Sequence, residues 1–443
     1  MKWFHMVAVV CILFLSSAVL IPFANADWTM FRADPSHSGA GTSNSVLTPT
    51  LLWNYTIPLA NPSIEQGHAA PLSATESSPA VVDGIAYMGS QGGSIYAVNA
   101  TNGVLLWNYT AVWSVVGDQS SPVVVNGIVY IGSDDHNVYA LNATNGVKLW
   151  NFTTSYIVDS SPAVVDGVVY IGSAEGVYAL NADNGAKIWN CTTSGWIESS
   201  PAVANGIVYV GSDDDSVYAL NATNGAKIWN YPMPNGNIQN GAPVNEVQSS
   251  PTVVNGVVYV GAGDGNVYAL NADNGKKIWN YTTEYFGGNT GNAVASSPAV
   301  VNGVVYVGSY NNIVYALKAT NGAKIWSAGT GGIVISSPAV AGGVVYIGSD
   351  DDYVYAFNST TGNQIWSYYT NGQVWSSPAV VNGVVYVGSG DNTIYALGSP
   401  TTSQNPTASP SPTIPEFPAA MVGAAIVMAM TAAIIFCNKK LKK

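Results

Sequence analysis

Residues 296–309 read SSPAVVNGVVYVGS, and residues 376–389 repeat the same fourteen residues without a substitution. A pocket that does chemistry needs different side chains at different places, so verbatim repetition marks a unit that packs against copies of itself. Aligned on Ser-Ser-Pro, the repeat recurs with its proline at 79, 122, 162, 201, 251, 298, 338 and 378, at spacings of 43, 40, 39, 50, 47, 40 and 40 residues. The chain therefore holds eight units of about forty residues, and whatever sets its function lies where the units differ.

Each unit contains four short β segments, as in SSPAVA, GIVYVGS, SVYALNA and AKIWNYP of residues 199–232, separated by NG, DDD and TNG. Asn-Gly and Asp-rich breaks between β-branched and aromatic runs are hairpin signals. Four-stranded antiparallel units at this period, without capping ends, predict an all-β fold, an eight-bladed β-propeller rather than a solenoid. Trp107, Trp150, Trp189, Trp229, Trp279, Trp326 and Trp366 end seven units, whereas the eighth stops at Tyr395-Ala396-Leu397 with no Trp strand after it. The missing strand is LLWNYT at 51–56, with Trp53; its pairing into the last blade would remove the open sheet edges. Because Trp and Tyr recur in every unit, they are assigned to packing between blades.

Residues 27–415 carry 8 basic and 24 acidic groups, a net charge of −16, which argues against nucleic acid as a partner. Residues 1–26, with one Lys, an apolar run and an Ala24-Asn25-Ala26 end, read as a secretory signal. After a lead-in at 27–50 and the propeller at 51–397, residues 398–418 are a Pro/Ser/Thr-rich stalk. Residues 419–436 are uncharged and long enough to form a transmembrane helix, and 437–443 are a basic cytoplasmic tail. The expected location is the extracellular face of the membrane, held by this single C-terminal anchor. Cys191 is the one cysteine of the body, so no disulfide is expected there. Glycosylation sequons occur at Asn54, Asn99, Asn108, Asn142, Asn151, Asn190, Asn221, Asn280 and Asn358.

Units such as GSDDDSVYALNATNGAKIW resemble the pyrroloquinoline-quinone-type propeller repeat, and DWTMFRADPSHSG at 27–39 is similar to the lead-in of many such proteins. The resemblance covers nearly all of 27–397 and extends both to quinoprotein dehydrogenases and to non-enzymatic members such as a bacterial outer-membrane assembly lipoprotein. The tail, IPEFP followed by an apolar stretch and lysines, resembles an archaeal surface-protein sorting signal. For a dehydrogenase the resemblance implies a vicinal disulfide, cationic groups for the acidic quinone and an Asp base beside calcium. This chain has no adjacent cysteines and one arginine, Arg32, outside the repeats. Neither pyrroloquinoline quinone nor calcium is therefore expected as a cofactor.

The family topology places SSPAVV innermost and the Trp strand outermost. NG and NATNG turns then share one face, here called the bottom; the Asp-rich turns and the connections into the next SSP share the top. Length variation concentrates in top connections such as 232–248 and 284–295. Asp134-Asp135, Asp213-Asp214-Asp215 and Asp350-Asp351-Asp352 lack a later Glu at calcium-loop spacing, and His37, His68 and His136 lack metal-ligand spacing, so structural roles are expected and no metal site. No catalytic residue is assigned. The residue before each SS varies most: Glu76, Gln119, Asp159, Glu198, Gln248, Ala295, Ile335 and Trp375. These eight are expected to ring the top mouth of the central channel, with Trp113, Trp196 and Trp375 near enough to stack on a sugar or side chain. They are the candidate site of a binding or scaffolding module for surface protein or glycan. The alternatives are a quinone-dependent dehydrogenase, or a degenerate relative of one, and a structural envelope component.

Overall fold

The computed structural model describes residues 27–41, 43–58, 75–91, 93–111, 120–234, 246–284 and 291–399, with the backbone of a strand pair at Ile238–Gln239 and Ala242–Pro243. The expected signal, membrane helix and basic tail, nearly all of the stalk, and Trp113, Gln119 and His68 lie outside the described residues. Eight four-stranded antiparallel sheets form. Blade one runs through Ala80–Val82, Ile85–Ser90, Ser94–Asn99 and Leu105–Thr110, and the next six blades repeat this path. Blade eight has Ala379–Val381, Val384–Ser389 and Thr393–Gly398, and its outer place is taken by Thr50–Thr56, with Thr56 opposite Thr393 and Thr50 opposite Gly398. The N-terminal strand closes the ring as its tryptophan predicted.

The middle strands are buried on both faces, because neighbouring blades cover each side; their sequences are accordingly continuous in Val, Ile, Tyr and Ala. The outer strand is half exposed, and in LLWNYT of blade one only Trp107 is fully buried. In all eight blades that tryptophan packs at 5.8–5.9 Å between ring centroids against the tyrosine of the second strand, as in Tyr87–Trp107. Its indole N–H then donates to a backbone carbonyl of the next blade: Trp107 to Ala143 at 2.9 Å, Trp53 to Ala100 at 2.8 Å. The tyrosine hydroxyl reaches the same carbonyl, from Tyr87 to Ala143 at 3.1 Å. Gly103, in the Asn-Gly turn beside Trp53, has φ near 71°, and a Cβ there would come within 2.6 Å of the indole. Two constraints, backbone hand and ring contact, thus fix that glycine.

The two serines of SSP join the blades. The first closes its own blade: the N–H of Gly89 donates to Ser77 Oγ, and the same bond recurs in all eight blades at 2.7–3.1 Å. The second Ser of each unit donates its backbone N–H to the hydroxyl of the second Ser in the next: Ser78 to Ser121, then on through Ser161, Ser200, Ser250, Ser297, Ser337 and Ser377. Ser377 donates to Ser78 at 2.9 Å and completes a circle. The repeated SSP is thus a ring of eight hydrogen bonds around the channel.

The lead-in does not lie outside the blades. It enters at the bottom, where Asp27 meets Asp83, and circles inside the channel. Val81, Val124, Val203, Val253, Val300 and Val340, each the middle residue of an innermost strand, donate to the carbonyls of Trp28, Thr29, Pro35, Ser36, Ser38 and Gly39. In blade three Met30 packs with Val164, and in blade eight Ser43 Oγ donates to the Val380 carbonyl. The segment therefore satisfies the inner edge of the blades, which have no neighbouring strand on that side. It also supplies what blade eight lacks. That blade has no turn between third and fourth strands, so Trp366 of blade seven donates instead to Val46, at 2.8 Å.

Deleting residues 51–56 should lower the melting temperature of the whole ring, by exposing the Thr393–Gly398 edge and removing Trp53; an unchanged melting temperature would refute this closure. Ser200→Ala removes the acceptor of the buried Ser161 N–H. It should cost about 1–3 kcal/mol, read from the urea midpoint.

Candidate functional site

Above the serine ring lies a cavity of about 280 Å³. All eight second serines line it, and so do Glu76, Asp159, Glu198, Gln248, Ala295, Ile335 and Trp375, seven of the eight residues that precede SS. The strand geometry explains this. Proline at the head of each innermost strand fixes the backbone, the serine ring holds that backbone at the channel wall, and the preceding side chain is left at the mouth. Phe31 of the lead-in also lines the cavity, with its ring 5.5 Å from that of His37 in an edge contact. Because the lead-in occupies the channel beneath, the mouth opens into a cup rather than a tunnel.

The cup has two sides. Blades one, three, four and five contribute Glu76, Asp159, Glu198 and Gln248; blades six, seven and eight contribute Ala295, Ile335 and Trp375. A second tier, the residue after each GS pair, braces the first. Gln91 donates to Glu76, the Trp375 indole donates to Asp350, and Tyr310 lines the wall. Gln248 reaches from blade to blade, its amide donating to Glu198 at 3.0 Å.

Burial without cations sets the electrostatics. Asp159 is pushed up to about 8, first by burial and then by its hydrogen bond to Asp134 and that group's charge. Glu76 rises to about 7 through burial, with Asp159 adding to it and the Gln91 hydrogen bond opposing. Glu198 is raised by burial and by Asp159 and Glu246, and Asp213 rises to about 7 by burial and then Glu198. Asp350 is raised mainly by burial, against the Trp375 hydrogen bond.

Other expected positions fall elsewhere. Trp196 does not line the cavity: its carbonyl accepts from the Asp213 N–H, which holds its loop against the Asp213-Asp214 turn, and the residue is 48% exposed. In the Asp-rich turns Asp135, Asp214 and Asp351 accept from the hydroxyls of Tyr139, Tyr218 and Tyr355, at 2.5, 2.7 and 2.6 Å. Among the described residues no group of three or more His, Cys, Asp or Glu is placed to hold a metal. His136 takes a turn conformation at φ 71°, and its carbonyl accepts from Thr154. Asn54, Asn108, Asn151, Asn190 and Asn280 lie exposed on outer strands. Asn99, Asn142, Asn221 and Asn358 instead cap their turns, Oδ1 accepting backbone N–H groups two and three residues on. Phe31 and Tyr310, which line the cavity, and Asp134 and Asp213, which act on Asp159 and Glu198, were not singled out by the sequence as part of the site, although the position after each GS varies as much as the one before each SS.

The sequence matches the family described as outer membrane protein assembly factor BamB over residues 47–176, 134–315 and 311–405, and the chain belongs to that family of pyrroloquinoline-quinone-type repeat propellers. No curated protein matches. Among solved structures it is similar to BamB from Moraxella catarrhalis at 17% identity and TM-score 0.64, covering 80% of this chain and 100% of that one. It is similar to a europium-containing methanol dehydrogenase at 14% identity and TM-score 0.68, covering 84% and 98%. It is also similar to the quinohemoprotein alcohol dehydrogenase from Comamonas testosteroni at 17% identity and TM-score 0.67, covering 84% and 80%. At these identities the likeness is one of fold.

The raised carboxyls make stability depend on pH. A carboxyl whose folded value lies above its unfolded one binds more protons when folded, so its contribution is full below the unfolded value near 4 and is lost as pH rises through the folded value. For Asp159 that window ends near 8. The melting temperature should therefore fall between pH 5 and pH 8.5, and Asp159→Asn should shrink the fall. A melting temperature that rises over this range would contradict the buried arc.

Proposed function

We propose that this protein is a non-enzymatic binding or scaffolding module that takes a surface protein or glycan at the cup. The single observation that carries the reading is the cup: the positions that differ among near-identical blades line a common cavity open at its mouth, while the invariant positions make scaffold. The apolar 1–26 and 419–436 stretches support a membrane-anchored, extracellular setting, and the five outer-strand sequons would place glycans on the rim and leave the mouth bare. A quinone-dependent dehydrogenase fits less well. Among the described residues the lining has carboxyls and no lysine or arginine, and Arg32 is buried in the lead-in, with Nη1 donating to Thr252 at 3.1 Å. That donor set does not suit a tri-acid.

The test compares full-length wild type with the quadruple variant Glu76→Ala, Asp159→Ala, Glu198→Ala and Trp375→Ala. Both are assayed against surface proteins and glycans extracted from the protein's own cells. Each single substitution should weaken a wild-type partner by more than ~1 kcal/mol if the residues are anchors. Full affinity in a folded quadruple variant would overturn the reading and move the site to the loops at 232–248 and 284–295.

A further inference from the structure

The reading above leaves open what chemistry the cup accepts, and its lining narrows this. The aromatic side is a partly buried surface in its own right. Phe31 forms the floor, held against His37, while Tyr310 and Trp375 stand in the wall beside Ile335. Trp375 is fixed by its indole hydrogen bond to Asp350. Partly buried aromatic faces attract cations and the apolar stems that carry them. Opposite stand Glu76, Asp159 and Glu198, and among the described residues no lysine or arginine lines the cavity. A volume of about 280 Å³ is at the lower limit of small-molecule pockets, which suits one side chain or a small amine better than an oligosaccharide.

We propose that the cup seats an alkylammonium or guanidinium group, the end of a lysine- or arginine-like moiety, with its charge on the Glu76–Asp159–Glu198 arc and its stem on Trp375, Tyr310 and Phe31. The inference rests on the cup being the binding site. A compact metal ion fits the arc poorly, since no three carboxyls among the described residues converge on one point. An extended organic cation, which spreads its contacts, does not require that convergence. The ligand takes the place of protons. Asp159 faces Asp134 and Glu76, and Glu198 faces Asp159, Asp213 and Glu246, so burial and mutual repulsion raise all three carboxyls of the arc, Glu76 to about 7 and Asp159 to about 8. An entering cation favours the ionised carboxyls and expels their protons. Two sources share this chemistry, a free amine and a lysine or arginine side chain of a surface protein.

Calorimetry on the full-length protein with n-butylammonium, n-butanol and calcium ion as probes tests it. At pH 7.5 n-butylammonium should bind at least tenfold more tightly than n-butanol, with a heat that depends on the ionisation enthalpy of the buffer. Its affinity should fall at least tenfold at pH 5.5. Trp375→Leu and Glu198→Gln should each weaken it at least fivefold, and Ile335→Lys, which tethers a cation inside the cup, should abolish it. The last variant keeps the test decisive if a carboxyl variant fails to fold. Nα-acetyl-lysine N-methylamide separates the sources: much tighter binding than n-butylammonium points to a protein side chain, and equal binding to a free amine. Equal affinity for butanol and butylammonium, a buffer-independent heat, or displacement by calcium would overturn the proposal. Loss of a surface partner in the quadruple variant, with no competition by n-butylammonium, would overturn the cation chemistry and leave the cup as the site. Retention of the partner in that variant would remove the cup itself.

Discussion

The circle of serine hydrogen bonds is the constraint on which the rest of the structure depends. Each second serine is donor through its backbone and acceptor through its hydroxyl, so a blade is fixed on both sides by one residue. A chain of this kind closes only if the angle between successive blades is the same each time and the number of blades is right. Uniform angle demands uniform packing, which is why the Tyr–Trp pair and the carbonyl it reaches recur in every blade. Buried unpaired N–H groups are expensive, so a unit that departed from the pattern would break two junctions.

Uniform scaffold is also what makes a difference between blades meaningful. The side chain just before the ring is set at the mouth by backbone that does not vary, so exchanging Glu for Ile there changes the lining without moving the wall. The carboxyls gather where water is scarce and no cation offsets them, and their protons are the consequence. The fold itself does not select a function, since assembly factors and dehydrogenases both use it. The lining chemistry does the selecting.

Much of this was legible in the sequence. Blade number, strand order and closure by Trp53 follow from a period, four runs per period and one absent tryptophan, and the mouth residues follow from locating the innermost strand. The path of the lead-in was not legible. Its bonds to Val81, Val124, Val203, Val253, Val300 and Val340 use backbone carbonyls, which any sequence offers, so no side-chain pattern announces them. Trp28 and Met30 in an otherwise small, polar segment were the available signal of burial. Asp134 and Asp213 were hidden for another reason. They read as turn residues, and only the three-dimensional course of the turn separates the first Asp, which acts on a lining carboxyl, from the second, which holds a tyrosine.

The placement of residues 27–56 has a kinetic consequence. The first part of the body to be synthesised is needed last: Thr50–Thr56 pairs with Thr393–Gly398, and Val46 receives Trp366. Until blade eight exists, Thr50–Thr56 has no partner strand, although residues 28–39 can already pair with the inner strands of the earlier blades. Contacts spanning almost the whole chain are slow to form, because the loop must be closed before they contribute. Assembly thus ends in a single clasp. A chain truncated anywhere before blade eight is left with its N-terminal strand unpaired and its edges open to neighbouring molecules.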